Sequence, residues 1–159
     1  MANGDMQKRD DDVLQLVTFS IGSEEFGVDI LKVMEIIRTM EITKVPKAPD
    51  FVEGVINLRG SVIPILDLRR RFGLEIKTGD IETRIIVIEV SGMTVGFVVD
   101  SVSKVLRIPV KTVEPAPPVV AGVDSDYISG VGKLSDRLLI LLDLDKLLSA
   151  DDIETLSAL

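Results

Sequence analysis

Residues 54–68, GVINLRGSVIPILDL, and residues 130–144, GVGKLSDRLLILLDL, are two versions of one phrase. They align without a gap at an offset of 76 residues, with Gly, Val, Leu, Leu, Asp and Leu identical at six of fifteen positions. Internal repetition decides a fold more strongly than any single motif, and a unit of this spacing occurring twice is too long for a solenoid. It points to two similar small subdomains. The plain alternative is that any two apolar hairpins look alike.

The flanking residues favour duplication. The first copy is preceded by an apolar run (Leu14 to Ile21), a turn at Gly22-Ser23, a second run (Phe26 to Ile30) and a connector through Val33. The second is preceded by Arg84 to Val90, a turn at Ser91-Gly92, Met93 to Val99 and a connector from Asp100 to Val105. Runs of five to eight residues rich in Val, Ile and Phe between Gly, Ser and Asp turns read as strands, and Ser91-Gly92 is a two-residue hairpin signal. Each half is therefore hairpin, connector, hairpin. The connectors at Ile30 to Glu35 and Leu68 to Phe72 are expected to make a helical turn or two. Pro115-Ala116-Pro117-Pro118 cannot be a central strand, because proline donates no ladder hydrogen bond. Asp143 to Leu148 should start a helix, and Asp151-Asp152 favour the first turn of a last one.

Composition narrows the function. The chain has 159 residues, no Cys and no His, and a formal net charge of −8. Without Cys or His there are no disulfides and no Ser-His or Cys-His nucleophile pair. An acidic chain is poorly suited to displacing counterions from phosphates, which argues against nucleic-acid binding, and one Tyr with no Trp offers little for base stacking. Arg69-Arg70-Arg71, the only basic run, reads as a solvated turn after a strand. No apolar run reaches the roughly 18 residues of a transmembrane helix, and MANGDMQKRDDD has no signal-peptide core. A cytoplasmic location without membrane insertion is expected. Asp67 and Asp143 could be read as a catalytic dyad, but the repeat makes them equivalent caps.

These observations predict an all-β chain in which each half of about five short strands closes into a small barrel, since closure removes exposed edges. Two such barrels would share an apolar seam that neither could bury alone. The expected division is a disordered tail over 1–12, a domain over 13–149 made of two intertwined units (about 13–82 and 83–145, with possible exchange of termini), and a helical tail over 150–159. The polar stretch from Glu75 to Thr83 links the halves.

Arg59, at the tip of the hairpin Asn57-Leu58-Arg59-Gly60, stands where the second copy has Ser135. A charged group present in only one copy is harder to explain as turn chemistry. Glu35, in the connector before this hairpin, is its candidate partner. Val33 to Ile37 and Val102 to Val105 occupy matched connectors and could face the junction, where an apolar groove would suit an amphipathic helix; plain core is the alternative.

With these residues in hand, the chain resembles the CheW family of bacterial chemotaxis coupling proteins. The resemblance runs from about Leu14 to Leu148 and is most specific at Phe51 to Leu68 (FVEGVINLRGSVIPILDL) followed by Arg69. Gly27 to Ile30, Val33 to Ile36, Ile42 to Pro46, Val98 to Val102 and Leu138 to Leu144 add to it. It implies two five-stranded SH3-like barrels around a shared seam, with short helices including a C-terminal one. It also implies a non-enzymatic adaptor without cofactor, bridging the cytoplasmic hairpin tips of methyl-accepting chemoreceptors and the regulatory domain of the histidine kinase CheA. By position, Val33, Glu35, Gly54, Asn57, Arg59, Val102 and Val105 are implied for the receptor-facing groove, and Glu114 and Val119 for the kinase contact. The rival readings are a CheV-type or CheA regulatory-domain scaffold for another pathway, a nucleic-acid-binding barrel, and a ligand-binding or enzymatic barrel.

Overall fold

Alternating apolar positions in short, β-branched stretches produce strands throughout. The structure, a computed structural model, describes residues 12–75, 79–120 and 122–159. The expected tail thus lies outside the described residues except for Asp12, and so does the middle of the 75–83 link. In chain order the strands are β1 (Val13–Ile21), β2 (Glu24–Asp29), β3 (Val33–Arg38), β4 (Val52–Leu58), β5 (Ser61–Leu66), β6 (Arg84–Val90) and β7 (Met93–Val99). There follow β8 (Ser101–Pro109), β9 (Val113–Glu114), β10 (Val119–Val120), β11 (Val123–Asp124), β12 (Ile128–Lys133) and β13 (Leu138–Leu142). Among the described residues the α-helices are α1 (Leu68–Phe72) and α2 (Ala150–Ser157), with 3-10 turns at Ile30–Lys32, Val110–Thr112, Ser125–Tyr127 and Leu144–Lys146. The Pro115 to Pro118 segment is loop.

The strands form a six-stranded sheet, β8-β1-β2-β13-β12-β9, and a five-stranded sheet, β3-β6-β7-β5-β4, with β10-β11 as a separate ribbon. Each sheet draws on both halves of the chain. The hairpin β1-β2 is joined to the second copy of the repeat by parallel pairing of Phe26 with Ile140 and Gly27 with Leu141. The hairpin β6-β7 is joined to the first copy by Ile65 with Gly96 and Leu66 with Phe97. Ile65 and Leu141 are one repeat apart, so the two joints are equivalent, and in both a glycine faces the repeat strand.

Each sheet curls around its own small cluster. In the five-stranded sheet Ile56, Ile63, Ile65, Ile85 and Val87 gather with Ile37 and Leu58, so both edge strands β3 and β4 reach the same interior. In the six-stranded sheet Leu16, Ile108, Leu139 and Leu141 gather with Leu106 and Val113, from edge strands β8 and β9. The opposite faces of the central strands build a third and larger cluster between the sheets, with Phe19, Phe26, Ile86, Ile88, Phe97, Ile140 and Leu142 among its members. Alternation along β6 shows the division: Ile85 and Val87 point into one barrel, Ile86, Ile88 and Val90 into the seam. All five Phe and the single Tyr lie in or against the seam. Ring contacts run from Phe97 to Phe19 (5.5 Å), Phe26 (5.8 Å), Phe72 (6.1 Å) and Tyr127 (5.4 Å). The expected all-β architecture around a shared apolar seam is the one observed.

The connectors are partly as expected: Leu68–Phe72 is helical and Ile30–Lys32 makes a helical turn, but Val33–Arg38 and Ser101–Pro109 are edge strands. The β-branched Val33, Ile36 and Ile37 find ladder partners on β6, and such residues suit a half-buried pleated surface better than a helix. The caps are as expected. Asp67 accepts from Arg69 N–H (3.0 Å) at the start of α1, and Asp143 from Asp145 N–H (3.1 Å) at the equivalent 3-10 turn.

Gly96 and Gly27 are where barrel interiors leave no room. A Cβ at Gly96 would stand 2.9 Å from both Ile65 Cδ1 and Ile85 Cγ2, whereas at Gly27 it would meet Leu139 Cδ2 at 3.3 Å. Gly96→Ala is therefore expected to lower stability by about 1–3 kcal/mol, and Gly27→Ala by less. Urea denaturation of the two variants measures the difference, and equal midpoints would contradict this packing.

Candidate functional site

The site begins in a turn. Leu58 pairs with Ser61, which leaves Arg59-Gly60 as a two-residue hairpin loop. Both have positive φ (52° and 89°), the geometry of a type I′ turn. Glycine adopts it freely, whereas arginine there carries strain of order 1 kcal/mol or more. Asn57 holds the turn by accepting Gly60 N–H at its Oδ1 (2.9 Å). From this turn Arg59 reaches back to β3, where its Nη2 donates to Glu35 Oε1. A register shift between Val33 and Glu35 on β3 marks a bulge, a device that re-aims side chains. The Arg59 side chain is 69% exposed and that of Glu35 30%, so the pair is a surface feature.

Beside the pair lies a groove of about 600 Å³. Met34, Glu35, Leu58, Arg59, Val62 and Met93 line it, and Leu156 of the C-terminal helix and Leu159, just past its end, border one side. Met34 and Val62 are 58% and 65% exposed. An apolar trough with one charged pair on its rim is suited to receiving the apolar face of an amphipathic helix.

The other candidate residues do not line this groove. Val33 and Val102 are half-buried against the seam, at matched places on the two edge strands: Val33 pairs with Ile88, Val102 with Phe19, and a register shift follows each. Val105 is exposed on β8. Gly54 is buried, and a Cβ there would collide with the carbonyl oxygen of Thr43. Its absence lets Thr43 dock on β4 through two backbone hydrogen bonds to Val55 (both 2.8 Å). Glu114, on edge strand β9, meets Lys133 at 3.1 Å, both exposed. Val119 opens β10 opposite Asp124; its side chain lies outside the described residues.

The basic run is the feature that the sequence concealed. It is not a solvated turn. Arg69 pairs with Asp100, Arg70 with Asp67 (3.3 Å) and Arg71 with Asp152 (2.6 Å). Arg71 is central. Its Nε donates to Leu147 O (3.0 Å), and its guanidinium lies over the rings of Phe51 (4.5 Å) and Tyr127 (5.5 Å). Leu147 is the repeat equivalent of Arg71, and Tyr127 that of Phe51, so this arginine stands where the two copies meet. The clue in the sequence was an arginine in one copy set against a leucine in the other.

At Asp152 burial pushes the carboxyl up, but the Ser149 N–H, the Arg71 guanidinium and the Ser149 hydroxyl outweigh it and hold the group below its ordinary value. Ser149 and Asp152 form a reciprocal capping box at the start of α2.

Comparison with known proteins places this geometry. Residues 15–152 match the family model described as CheW-like domain. The chain is 41% identical over 138 residues to the chemotaxis protein CheW of Klebsiella aerogenes, covering 87% of this chain and 83% of that one. It is 34% identical over 148 residues to the chemotaxis protein CheW of Helicobacter pylori, covering 93% and 89%. Its fold superposes on the crystal structure of the scaffolding protein TtCheW from Thermoanaerobacter tengcongensis with a TM-score of 0.82, at 37% identity, over 89% of this chain and 91% of that one.

Two stability measurements separate the arginines. Arg59→Ala is expected to change unfolding free energy by less than about 1 kcal/mol, as for exposed pairs. Arg71→Met should cost more, on the order of 1–3 kcal/mol, because it takes the cationic partner from a partly buried carboxylate that keeps only its Ser149 hydrogen bonds. The Asp152 pKa is depressed below 3.8 in the folded protein, so its contribution is present above that value and lost as pH falls through the folded pKa. The stability gap between the native chain and Asp152→Asn should therefore narrow below about pH 4. Denaturant titrations at several pH values test this; a gap independent of pH would rule out an ionised Asp152 as the source.

Proposed function

The chain belongs to the family of CheW-like domains, and on that premise we propose that it couples chemoreceptors to the histidine kinase CheA as a chemotaxis adaptor. It is a scaffold whose work is done by surfaces. The observation that carries the reading is the Arg59–Glu35 pair on the rim of the Met34–Val62 groove. In this reading the groove, together with Val33, Gly54, Asn57, Val102 and Val105, receives the cytoplasmic hairpin tip of a receptor. Glu114 and Val119 lie toward the regulatory domain of CheA. Among the described residues no helix is long and apolar enough to cross a membrane, so placement at receptor arrays comes through these contacts.

The physical role follows from the double barrel. Strands β3, β8 and β9 lie at sheet edges, as does β4, whose edge is partly covered by Thr43, and a kinase domain of the same fold would offer equivalent edges. Contacts between like folds can alternate head to tail and close into a ring. Each contact is small and hence weak; an array supplies strength by multivalency. Receptor state then biases kinase activity to the extent that its contacts with the groove differ between states. A CheV-type or kinase-domain-like scaffold for another pathway has less support, since the relatives named above are chemotaxis CheW proteins.

Titration calorimetry against the isolated CheA regulatory domain should give saturable one-to-one binding; no heat at tens of micromolar with a folded protein would count against the adaptor reading. Arg59→Ala should weaken receptor coupling with a cooperative melt retained. Val33→Asp and Val105→Asp should reduce binding of the receptor hairpin tip while sparing the kinase contact. Unchanged receptor binding in both would move the receptor surface elsewhere.

A further inference from the structure

The groove has a wall that belongs to neither barrel. We propose that the C-terminal helix α2 is an integral wall of the partner-binding groove, with Leu159 a direct contact and Arg71 the residue that positions the helix. The inference rests on the receptor reading of the groove and deepens it.

Three observations converge. First, the last turn of α2 borders the same trough as the Arg59–Glu35 pair through Leu156 and Ser157, and so does Leu159, just past the helix with its N–H donating to Leu156 O (3.2 Å). Second, the helix is fixed there. Leu156 is 3% exposed and belongs to the seam cluster, while the first turn is held by the Arg71–Asp152 pair and the Ser149 capping box. A helix of eight residues is too short to persist without such ties. Third, Leu159 is 43% exposed next to that buried anchor. An apolar side chain held at a groove edge by a rigid support is the arrangement that binding sites require of their contacts.

The anchoring also decides between a wall and a lid. A lid has to leave, and departure here would expose Leu156 and break the Arg71–Asp152 pair. The wall stays, and the occupant lies between it and the apolar side chains of Met34, Leu58, Val62 and Met93. Arg59 uses one of its five N–H donors on Glu35, so the rim still offers donors to an acceptor. The occupant that fits is an amphipathic helix with apolar side chains at i and i+3 or i+4 and a carboxylate or amide beside them facing Arg59.

Arg71 acts on this site from a distance. Its guanidinium joins α1 to the Leu147 carbonyl and to Asp152 at the start of α2. None of its partners Asp152, Leu147, Phe51 and Tyr127 lines the groove, so it would act through the placement of the helix.

The test uses the full chain, with a chemoreceptor cytoplasmic hairpin fragment and the CheA regulatory domain as separate probes. Leu159→Glu should weaken receptor-fragment binding about tenfold, with the melting temperature and kinase-domain affinity unchanged. Arg71→Met should weaken the receptor contact selectively and speed amide exchange in residues 153–159; an equal loss toward both probes would make its role purely structural. If Leu159→Glu binds the fragment as the native chain does while Arg59→Ala does not, the wall is refuted and the groove reading survives. Tighter binding by Leu159→Glu would make the helix a lid and overturn the proposal. If neither Leu159→Glu nor Arg59→Ala affects a fragment that binds, the receptor reading of the groove itself falls.

Discussion

A sheet of five or six short strands can wrap one small cluster of side chains, and its other face is then bare. That constraint organises the protein. Among the described residues, five buried Ile and Val residues fill one barrel and four Leu and Ile residues the other, but the seam between them holds twenty-four. At about 25 cal/mol per Å² of apolar surface removed from water, burial scales with area, so the seam is the principal source of cohesion. Each barrel on its own would expose the row of Phe, Ile and Val residues that the other now covers.

The two copies of the repeat are held to near equivalence wherever they build this seam, and they diverge where the surface is put to use. Asp67 and Asp143 cap the same turn, and Gly96 and Gly27 admit the same crowded strand. Arg59 has no counterpart in Ser135, and Arg71 none in Leu147. One of these two arginines marks the groove rim; the other binds the C-terminal helix at the meeting point of the copies. Departures from internal symmetry in this chain are therefore a map of what the symmetric scaffold carries.

Much of the scaffold was legible in the sequence because strand alternation and turn chemistry are local. The hairpins at Gly22-Ser23 and Ser91-Gly92, the capping aspartates and the helix after Ser149 all follow from neighbouring residues. The Arg59–Glu35 pairing was legible too, since one repeat carried a charge that the other lacked. The edge strands β3 and β8 were misread as connectors because their pairing partners lie far along the chain. Pairings such as Phe26 with Ile140 leave no local trace. Arg71 was hidden for the same reason: its partners Leu147 and Asp152 are distant in sequence, and three consecutive arginines look solvated when their carboxylates are out of sight.

The crossing of hairpins between sheets also sets the order in which the molecule can be made. The hairpin β1-β2 is synthesised well ahead of both its neighbours in the six-stranded sheet: β8, which pairs with β1, begins only at Ser101, and β13, which pairs with β2, only at Leu138. At synthesis rates of about 5–20 residues per second, the β2 edge waits on the order of ten seconds for β13, and the β1 edge somewhat less for β8. Local hairpins form in microseconds, so the delay belongs to the length of the chain rather than to its chemistry. A newly synthesised copy is thus most vulnerable to association with its neighbours before its last third exists, and chaperones that shield exposed strands would act on it in that interval.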